Sequence, residues 1–361
     1  MSRYLLIAAA ALAGAAAVAY FANQIPLTGP LLIASFLCLA FGVRAYPALR
    51  GFSYTIMIFA AVTIAMYYPQ YIAQVGEFDT SKLIVPLLQV IMFGMGTALS
   101  IQDFARVASM PKGILVGILC QFSIMPIVGY SLTRVFSFPP EIAAGVILVG
   151  SCPSGLASNV MAFLARANLA LSVSLTAVAT LMAPLMTPFL MEQLAGSYVP
   201  VDFWKMLNDI LKMVIYPVIG GLAFHHLFHG KAKWLDDAMP LVSMAGIALI
   251  ITIITAKGRN DLLTIGPLLM LACLMHNLTG YFLGYWGGRL FRMPERDCRT
   301  IALEVGLQNG GLASGLAKGM GMLATVGLAP AIFGPLMNIT GSSLATWWRS
   351  KPLPEGEAAE A

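Results

Sequence analysis

Val149-Gly-Ser-Cys-Pro-Ser-Gly-Leu-Ala-Ser-Asn-Val160 and Leu303-Glu-Val-Gly-Leu-Gln-Asn-Gly-Gly-Leu-Ala-Ser-Gly315 are the two stretches of sequence that decide the fold. Both lie in apolar segments long enough to cross a bilayer. Each nevertheless carries Gly, amide and hydroxyl residues where an ordinary span would carry Leu and Val. In hydrocarbon, an interrupted helix is stable only where protein or a water-filled cavity satisfies its free N–H and C=O groups. Two interruptions at corresponding positions therefore predict a binding site between them.

The composition around these stretches is that of a membrane protein. Of 361 residues, 59% are hydrophobic and 10% are charged, which is too few charges to cover a soluble protein, so we predict an all-α polytopic membrane protein. The net charge of +5 does not indicate a nucleic-acid surface, because the basic residues are scattered between apolar runs. The five cysteines lie in or beside apolar stretches without His at ligand spacing, so they predict neither disulfides nor a metal site.

Apolar runs of about 17–25 residues predict about twelve membrane-spanning helices. The predicted spans are 4–22, 26–43, 52–74, 83–101, 113–136, 141–165, 168–190, 206–228, 238–256, 263–287, 298–318 and 326–347. Residues 1–50 hold the two additional N-terminal spans, and residues 51–349 hold a ten-span core. Residues 350–361 form a polar, Pro-containing tail that we expect to be disordered in the cytoplasm.

The charge distribution predicts the orientation of these spans. Most Lys and Arg residues fall in loops on the side of the N-terminus, most densely between Arg289 and Arg299, so both termini are predicted to be cytoplasmic. The first span can also be interpreted as a secretory signal peptide, because Arg3 precedes an Ala-rich apolar run. Its length favours a retained span, and both interpretations give the later spans the same orientation.

A short repeat links the two interrupted stretches. Gly-Leu-Ala-Ser occurs at 155–158 and at 311–314, in the sixth and eleventh predicted spans. Spans five apart enter the membrane from opposite sides, so the match predicts an inverted repeat of spans 3–7 and 8–12, with the ion and substrate sites near the bilayer midplane. Chance is the alternative in a chain rich in Gly and Ala, but both copies fall at the two polar interruptions.

Glu304 is the most informative single residue. It lies a few residues inside the predicted eleventh span, where a bare carboxylate costs a few kcal/mol and usually faces a cavity or a partner. No Lys or Arg lies at comparable depth in the neighbouring spans. A bound cation or a proton is therefore left to neutralise the carboxylate.

Neutral oxygen donors occur in the same group of spans. Ser172 and Thr176 are four residues apart and face one way on a helix. Carboxylate, amide and hydroxyl oxygens suit a hard cation, and the scarcity of His and thiolate ligands disfavours transition metals, so Na⁺ fits best. Interhelical hydrogen bonding is the alternative role for such groups. The other donors are Gln121, Ser158, Asn159, Gln308 and Asn309.

These residues resemble the two signature stretches of the bile acid:sodium symporter family. The supporting stretches are Ile91-Met-Phe-Gly-Met-Gly-Thr97, Gln121-Phe-Ser-Ile-Met-Pro126 and Leu164-Ala-Arg-Ala-Asn-Leu-Ala-Leu-Ser-Val173. The resemblance covers residues 51–349 and implies a bacterial-type member, with two extra N-terminal spans, in the inner (plasma) membrane. It implies a panel domain (about 52–101 and 206–256) and a core domain (about 113–190 and 263–347), with two broken helices crossing in the core.

The resemblance also implies two Na⁺ sites that share Glu304. The residues that match the first site are Ser158, Asn159, Ser172, Thr176 and Glu304. The residues that match the second site are Gln121, Glu304, Val305, Leu307 and Gln308, of which the Val and Leu contribute backbone carbonyls. The substrate-contacting positions match Leu156, Ala157, Asn309 and Asn338. Leu156 stands where relatives often carry a small polar residue, and Asn338 stands where a relative carries His, so the identity of the organic anion is not predicted.

The sequence thus predicts a sodium-coupled symporter that imports an organic anion by alternating access, with two Na⁺ per cycle. Motifs of hydrolases, metalloproteases and P-loop enzymes are absent from the sequence, so an enzyme is not predicted. Two alternatives stay open: a Na⁺-dependent ligand sensor without turnover, and a transporter coupled to protons through Glu304. The expected partners are a small carboxylate or sulfonate and membrane lipid, but no nucleic acid, and the oligomeric state is not predicted.

Overall fold

The computed structural model describes residues 2–46, 49, 51–228 and 233–353, and these residues are almost entirely helical. The helices of the described residues are α1 (Ser2–Phe21), α2 (Ile25–Val43), α3 (Phe52–Tyr67), α4 (Pro69–Ala73), α5 (Ile84–Thr97), α6 (Ile101–Val107), α7 (Pro111–Phe136), α8 (Pro140–Ser151), α9 (Leu156–Leu164), α10 (Leu169–Ala195), α11 (Phe203–Ile210), α12 (Tyr216–Phe228), α13 (Lys233–Lys257), α14 (Arg259–Leu290), α15 (Glu295–Gly306), α16 (Gly310–Gly319) and α17 (Leu328–Arg349). A two-stranded hairpin of β1 (Gln74–Val75) and β2 (Phe78–Asp79) follows α4, and a 3₁₀ turn (Thr80–Leu83) leads into α5.

The helices confirm a polytopic membrane fold. Among the described residues, eight helices are long and apolar enough to cross a membrane, and two shorter apolar helices are Phe52–Tyr67 and Pro140–Ser151. Large apolar side chains such as Leu119, Phe163 and Phe189 are exposed on the outside of the bundle. Exposed apolar surface on this scale suits contact with lipid rather than water. Most of the tail predicted at 350–361 lies outside the described residues.

Several predicted boundaries were wrong by a few residues. The third span was predicted to end at 74, but α3 ends at Tyr67 because Pro69 lacks an N–H and disfavours helical backbone at the residue before it. The fourth was predicted to reach 101, but α5 ends at Thr97. Conversely, α10 continues past its predicted end at 190, and α14 extends past both of its predicted ends at 263 and 287. In both cases helical hydrogen bonding continues into polar residues that hydropathy excludes.

Both interrupted stretches are broken helices, as predicted. The first break separates α8 from α9, where Pro153 lacks an N–H and Gly155 has extended backbone. The second separates α15 from α16, where Leu307 has extended backbone. An antiparallel bridge pairs Ser154 with Gln308, and the Asn309 N–H donates to the Pro153 carbonyl at 2.9 Å. The two breaks therefore cross and satisfy part of each other's backbone.

For description, we divide the helices into two groups: α3, α5 and α11–α13 form one, and α7–α10 and α14–α17 form the other, with contacts such as that of α5 with α16 joining them. Helix α5 contacts α12 and α13, and α13 contacts α3. Helix α7 contacts α8, α10, α14 and α15, while α17 contacts α8, α9 and α14. Helices α1 and α2 pack on each other, and α2 packs on α3. The division into panel and core domains that move as units stays a prediction.

Close packing of α5 on α12 depends on one of two adjacent glycines. A Cβ on Gly221 would lie 2.1 Å from the Phe93 carbonyl oxygen, whereas a Cβ on Gly220 would have only a Phe93 ring atom at 3.9 Å. We expect Gly221→Ala to destabilise the fold by about 1–3 kcal/mol, because the clash is with backbone. Gly220→Ala is the matched control and is expected to cost nothing. Thermal unfolding in detergent compares the two, and equal melting temperatures would contradict this packing.

Candidate functional site

Four helix ends meet where the broken helices cross. The C-terminal ends of α8 and α15 and the N-terminal ends of α9 and α16 surround the bridge between Ser154 and Gln308. Helix C-termini carry a partial negative charge and free carbonyls, and N-termini carry a partial positive charge and free N–H groups. The crossing therefore offers both carbonyl oxygens for a cation and N–H donors for an anion inside one buried region.

Glu304 lies on α15 beside this crossing and is only 2% exposed. The Ser154 hydroxyl donates to Oε2 of Glu304 at 2.5 Å, and the Ser172 hydroxyl donates to Oε1 at 2.5 Å. The Thr176 hydroxyl lies 2.9 Å from Oε2 and 3.2 Å from Oε1. Both carboxylate oxygens thus point into a group of side-chain hydroxyls contributed by the first break and by α10.

No cation among the described residues balances this carboxylate. The ion pairs of the described chain involve other acidic residues, and every hydrogen-bond donor to Glu304 is a neutral hydroxyl. A buried charge without a partner is costly. The carboxylate therefore needs either a bound cation or a proton.

The residues predicted for the first Na⁺ site lie together. Oδ1 of Asn159 lies 2.9 Å from the Ser172 hydroxyl oxygen and 3.2 Å from the Thr176 hydroxyl oxygen. The Ser158 hydroxyl lies 3.3 Å from the Thr176 hydroxyl and donates to the Gly155 carbonyl. Helical spacing places Ser172 and Thr176 on one face of α10, toward Glu304. Side-chain oxygens from three helices thus converge on one point, and their role as ligands stays a prediction.

Three of the residues predicted for the second site, Gln121, Val305 and Gln308, are linked by hydrogen bonds. Nε2 of Gln121 donates to Oε1 of Gln308 and to the Cys152 carbonyl, each at 3.0 Å, while Gln308 donates to the Val305 carbonyl at 2.6 Å. Oε1 of Gln121 is buried without a hydrogen-bond partner among the described residues. A buried acceptor left unpaired costs about 1–3 kcal/mol. A cation at this position would supply the missing partner.

The donor chemistry fits an alkali cation. Within the described residues, no group of three or more His, Cys, Asp or Glu side chains could hold a metal ion. The oxygens around Glu304 come instead from its own carboxylate, from the hydroxyls of Ser154, Ser172 and Thr176, and from the Asn159 amide. Hard oxygen donors of this kind favour hard cations over transition metals.

The structure adds polar residues to the site that the sequence analysis had not assigned. Ser154 lies inside the first break, and its residue type did not distinguish it from the other small polar residues of that stretch. Nδ2 of Asn277 donates to the Gly306 carbonyl at 2.8 Å, and the Thr340 hydroxyl donates to Oδ1 of Asn277 at 2.5 Å. Together these contacts satisfy a carbonyl freed where α15 ends. The sequence does contain one indication of this contact, because Asn277 is a polar residue in the middle of the apolar helix α14.

The four predicted substrate positions are only partly brought together. Leu156 and Ala157 begin α9 and are half-buried at the crossing. Asn309 is the N-cap of α16, with Oδ1 accepting from the Leu312 N–H at 3.0 Å and Nδ2 directed at Sδ of Met92 on α5. Asn338 is half-buried on α17, and among the described residues its side chain makes no hydrogen bond to this group. Their contact with a substrate stays a prediction.

A polytopic helical bundle with two broken helices crossing at a buried carboxylate is an architecture typical of membrane transporters. Residues 85–265 match the Sodium Bile acid symporter family. The chain belongs to that family, which confirms the resemblance of its signature stretches. It is therefore a multi-span membrane protein of a sodium-dependent transporter family.

Two relatives and one solved structure illustrate the similarity. The chain is 36% identical over 310 residues to "Uncharacterized sodium-dependent transporter YocS" of Bacillus subtilis (strain 168), covering 86% of this chain and 94% of the relative. It is 35% identical over 263 residues to "Probable sodium/metabolite cotransporter BASS1, chloroplastic" of Arabidopsis thaliana, covering 73% of this chain and 65% of the relative. The sodium proton antiporter MjNhaP1 from Methanocaldococcus jannaschii has a similar structure, with a TM-score of 0.52 at 12% identity, covering 92% of this chain and all of that chain. This last similarity shows the fold alone.

Proposed function

We propose that this protein is a sodium-coupled symporter that imports an organic anion by alternating access, with two Na⁺ per cycle. The observation that carries the proposal is the Glu304 carboxylate, which is buried among neutral oxygen donors without a basic partner in the described chain. A binding site for Na⁺ explains both the charge and the number of oxygens around it. Side chains that only joined the helices by hydrogen bonds would not need a carboxylate at position 304.

Two ions are proposed because the oxygen donors form two groups. Ser158, Asn159, Ser172 and Thr176 lie on one side of Glu304. Gln121, Val305 and Gln308 form the other group, where the side-chain oxygen of Gln121 has no hydrogen-bond partner within the described part of the chain. Leu307 adds a carbonyl at the point where α15 ends. Glu304 would contribute to both sites, so binding at one is expected to affect the other.

The substrate is proposed to be an organic carboxylate or sulfonate. The N-termini of α9 and α16 carry partial positive charge and face the crossing. Two bound Na⁺ ions would add to this positive potential, so an anion would be favoured beside them. Leu156, Ala157, Asn309 and Asn338 are the side chains that we assign to substrate contact. Nδ2 of Asn309 points toward α5 of the other helix group.

Alternating access is proposed from contacts that join the two helix groups at one end of the molecule. The Lys318 ammonium at the end of α16 donates to the Ser81 hydroxyl at 2.7 Å, and Lys205 donates to the Gly319 carbonyl at 2.8 Å. These contacts would close that end and would break when the groups separate. With both termini cytoplasmic in a bacterial inner membrane, this closed end faces outward.

The test begins with a thermal-shift screen of small carboxylates, keto acids, pantoate-like acids, sulfonates and bile salts, with and without Na⁺. Compounds that stabilise the protein only with Na⁺ are then tested for uptake into proteoliposomes. We expect uptake driven by an inward Na⁺ gradient. For a monoanion carried with two Na⁺, an inside-negative potential adds about 2.3 kcal/mol per 100 mV.

Three outcomes of this experiment separate the competing functions. Uptake that needs Na⁺ and rises with inside-negative potential supports the proposal. Uptake driven by a pH gradient without Na⁺ would instead support proton coupling through Glu304. A Na⁺-dependent thermal shift without any flux would support a sensor. Protein-free liposomes and replacement of Na⁺ by choline are the controls.

A further inference from the structure

A cavity lies on the outer face of the bundle, between α14, α15 and α17. Its volume is about 490 Å³, within the range of roughly 300–1,000 Å³ that is typical of small-molecule sites. None of the side chains assigned to Na⁺ or to substrate lines this cavity. Thr340, which donates to Asn277 near the crossing, does line it, so the cavity adjoins the crossing without including any of the proposed ligands.

One part of the cavity is apolar and faces the surroundings of the bundle. Leu278 and Phe282 on α14 line it, with 49% and 62% of their surface exposed, and Leu344 on α17 lines the opposite wall. In a membrane these side chains contact hydrocarbon rather than water. This part of the cavity suits an acyl chain.

The other part of the cavity is basic. Nε of Arg299 donates to Glu295 at 2.9 Å, Nη1 of Arg299 donates to the Trp348 carbonyl at 3.2 Å, and Arg289 lies 3.7 Å from the second Glu295 oxygen. Lys351 also lines the cavity. Of the charged side chains that line the cavity, Arg299 and Lys351 are cationic and Glu295 is anionic, so the lining has a net charge of +1, which suits an anion.

Aromatic residues beside the basic part indicate its depth in the membrane. The Lys351 ammonium lies 5.4 Å from the centre of the Trp347 ring, and the Arg299 guanidinium lies 5.9 Å from the Trp348 ring. Trp and Tyr concentrate at the boundary between hydrocarbon and headgroups. The apolar part of the cavity thus lies on the hydrocarbon side of that boundary and the basic part on the headgroup side. The tail and headgroup of a lipid are arranged in the same order.

We infer that this cavity binds an anionic phospholipid, with the phosphate at Arg299 and Lys351 and one acyl chain along Leu278, Phe282 and Leu344. Basic pockets between transmembrane helices bind anionic headgroups in this way, and arginine pairs well with phosphate. The lipid would hold the end of α17 against α14 and α15. Because Arg299 and Glu304 share α15, it would brace the helix that carries the ion site.

Native mass spectrometry of the full-length protein tests the inference without depending on transport. Delipidated protein is titrated with phosphatidylglycerol and with phosphatidylcholine of identical chains. We expect preferential binding of phosphatidylglycerol, and Lys351→Glu is expected to weaken it roughly fivefold or more, as about 1 kcal/mol per basic residue implies. Arg349→Glu is the matched control, because Arg349 is exposed on the same segment and does not line the cavity.

A second variant tests the apolar part. Leu344→Trp fills the cavity without changing its charge, and we expect it to reduce phosphatidylglycerol binding. Circular dichroism checks folding, and we expect the Lys351→Glu and Arg349→Glu proteins to keep the wild-type spectrum. Equal binding of the two lipids, or equal loss in Lys351→Glu and Arg349→Glu, would overturn the inference. Displacement of the lipid by a soluble organic anion would also overturn it, because the cavity would then be a substrate site.

Discussion

Replacing Glu304 with Gln is expected to abolish Na⁺-dependent uptake while leaving the protein folded. Gln keeps the size of the side chain and can still bond to the hydroxyls of Ser154 and Ser172, but it removes the negative charge that holds the cation. Breaking a buried charge pair costs about 3–5 kcal/mol, which corresponds to a loss of Na⁺ affinity of more than 100-fold. Because Glu304 is shared, both proposed ion sites lose affinity together.

Uptake and Na⁺-induced thermal stabilisation measure this loss. Glu192→Gln is the matched control, because Glu192 is exposed on α10 and takes no part in the crossing. We expect the control protein to behave as wild type in both assays. A Glu304→Gln protein with normal Na⁺ dependence would remove Glu304 as the shared ligand.

Replacing Thr176 with Val is expected to lower the Na⁺ affinity of the first site by about tenfold to 100-fold. Val has the same shape as Thr but lacks the hydroxyl oxygen, which lies 2.9 Å from the Glu304 carboxylate and 3.2 Å from Oδ1 of Asn159. Hydrogen bonds to charged groups contribute about 1.5–3 kcal/mol, and the cation also loses a ligand. The Na⁺ concentration needed for half-maximal uptake should rise accordingly.

Thr180 provides a stringent control for this variant. It lies one turn further along α10 and is equally buried, but its hydroxyl has no hydrogen-bond partner among the described residues. Thr180→Val therefore makes the same chemical change on the same helix without touching Glu304. Similar losses of Na⁺ affinity in the two variants would mean that the effect is on packing rather than on ion binding.

The sequence predicted the two helix breaks and drew attention to Glu304 because polar residues in apolar segments are rare and costly. Glu304 and the two interrupted stretches were conspicuous for that reason, and the helices are broken at the predicted places. The i, i+4 spacing of Ser172 and Thr176 also correctly predicted that both would face one way. Local patterns of this kind are readable without knowing how helices pack.

Contacts between distant helices were not predictable in the same way. The bond from Asn277 to the Gly306 carbonyl joins two helices, and nothing in the spacing of α14 indicates which carbonyl the amide would meet. The neighbouring His276 makes a contact of the same kind, because its Nε2 lies 2.9 Å from the Met125 carbonyl on another helix. The cavity beside Arg299 was also missed, because its three walls come from separate helices.

The central claim is that Na⁺ binds at the buried carboxylate where the two broken helices cross. Equilibrium binding of radioactive Na⁺ to the purified protein, with ionic strength held constant by choline, tests it most directly. We expect saturable binding by the wild-type protein, weaker binding by Thr176→Val and none by Glu304→Gln. A wild-type protein without saturable binding, or binding that Glu304→Gln leaves unchanged, would contradict the claim.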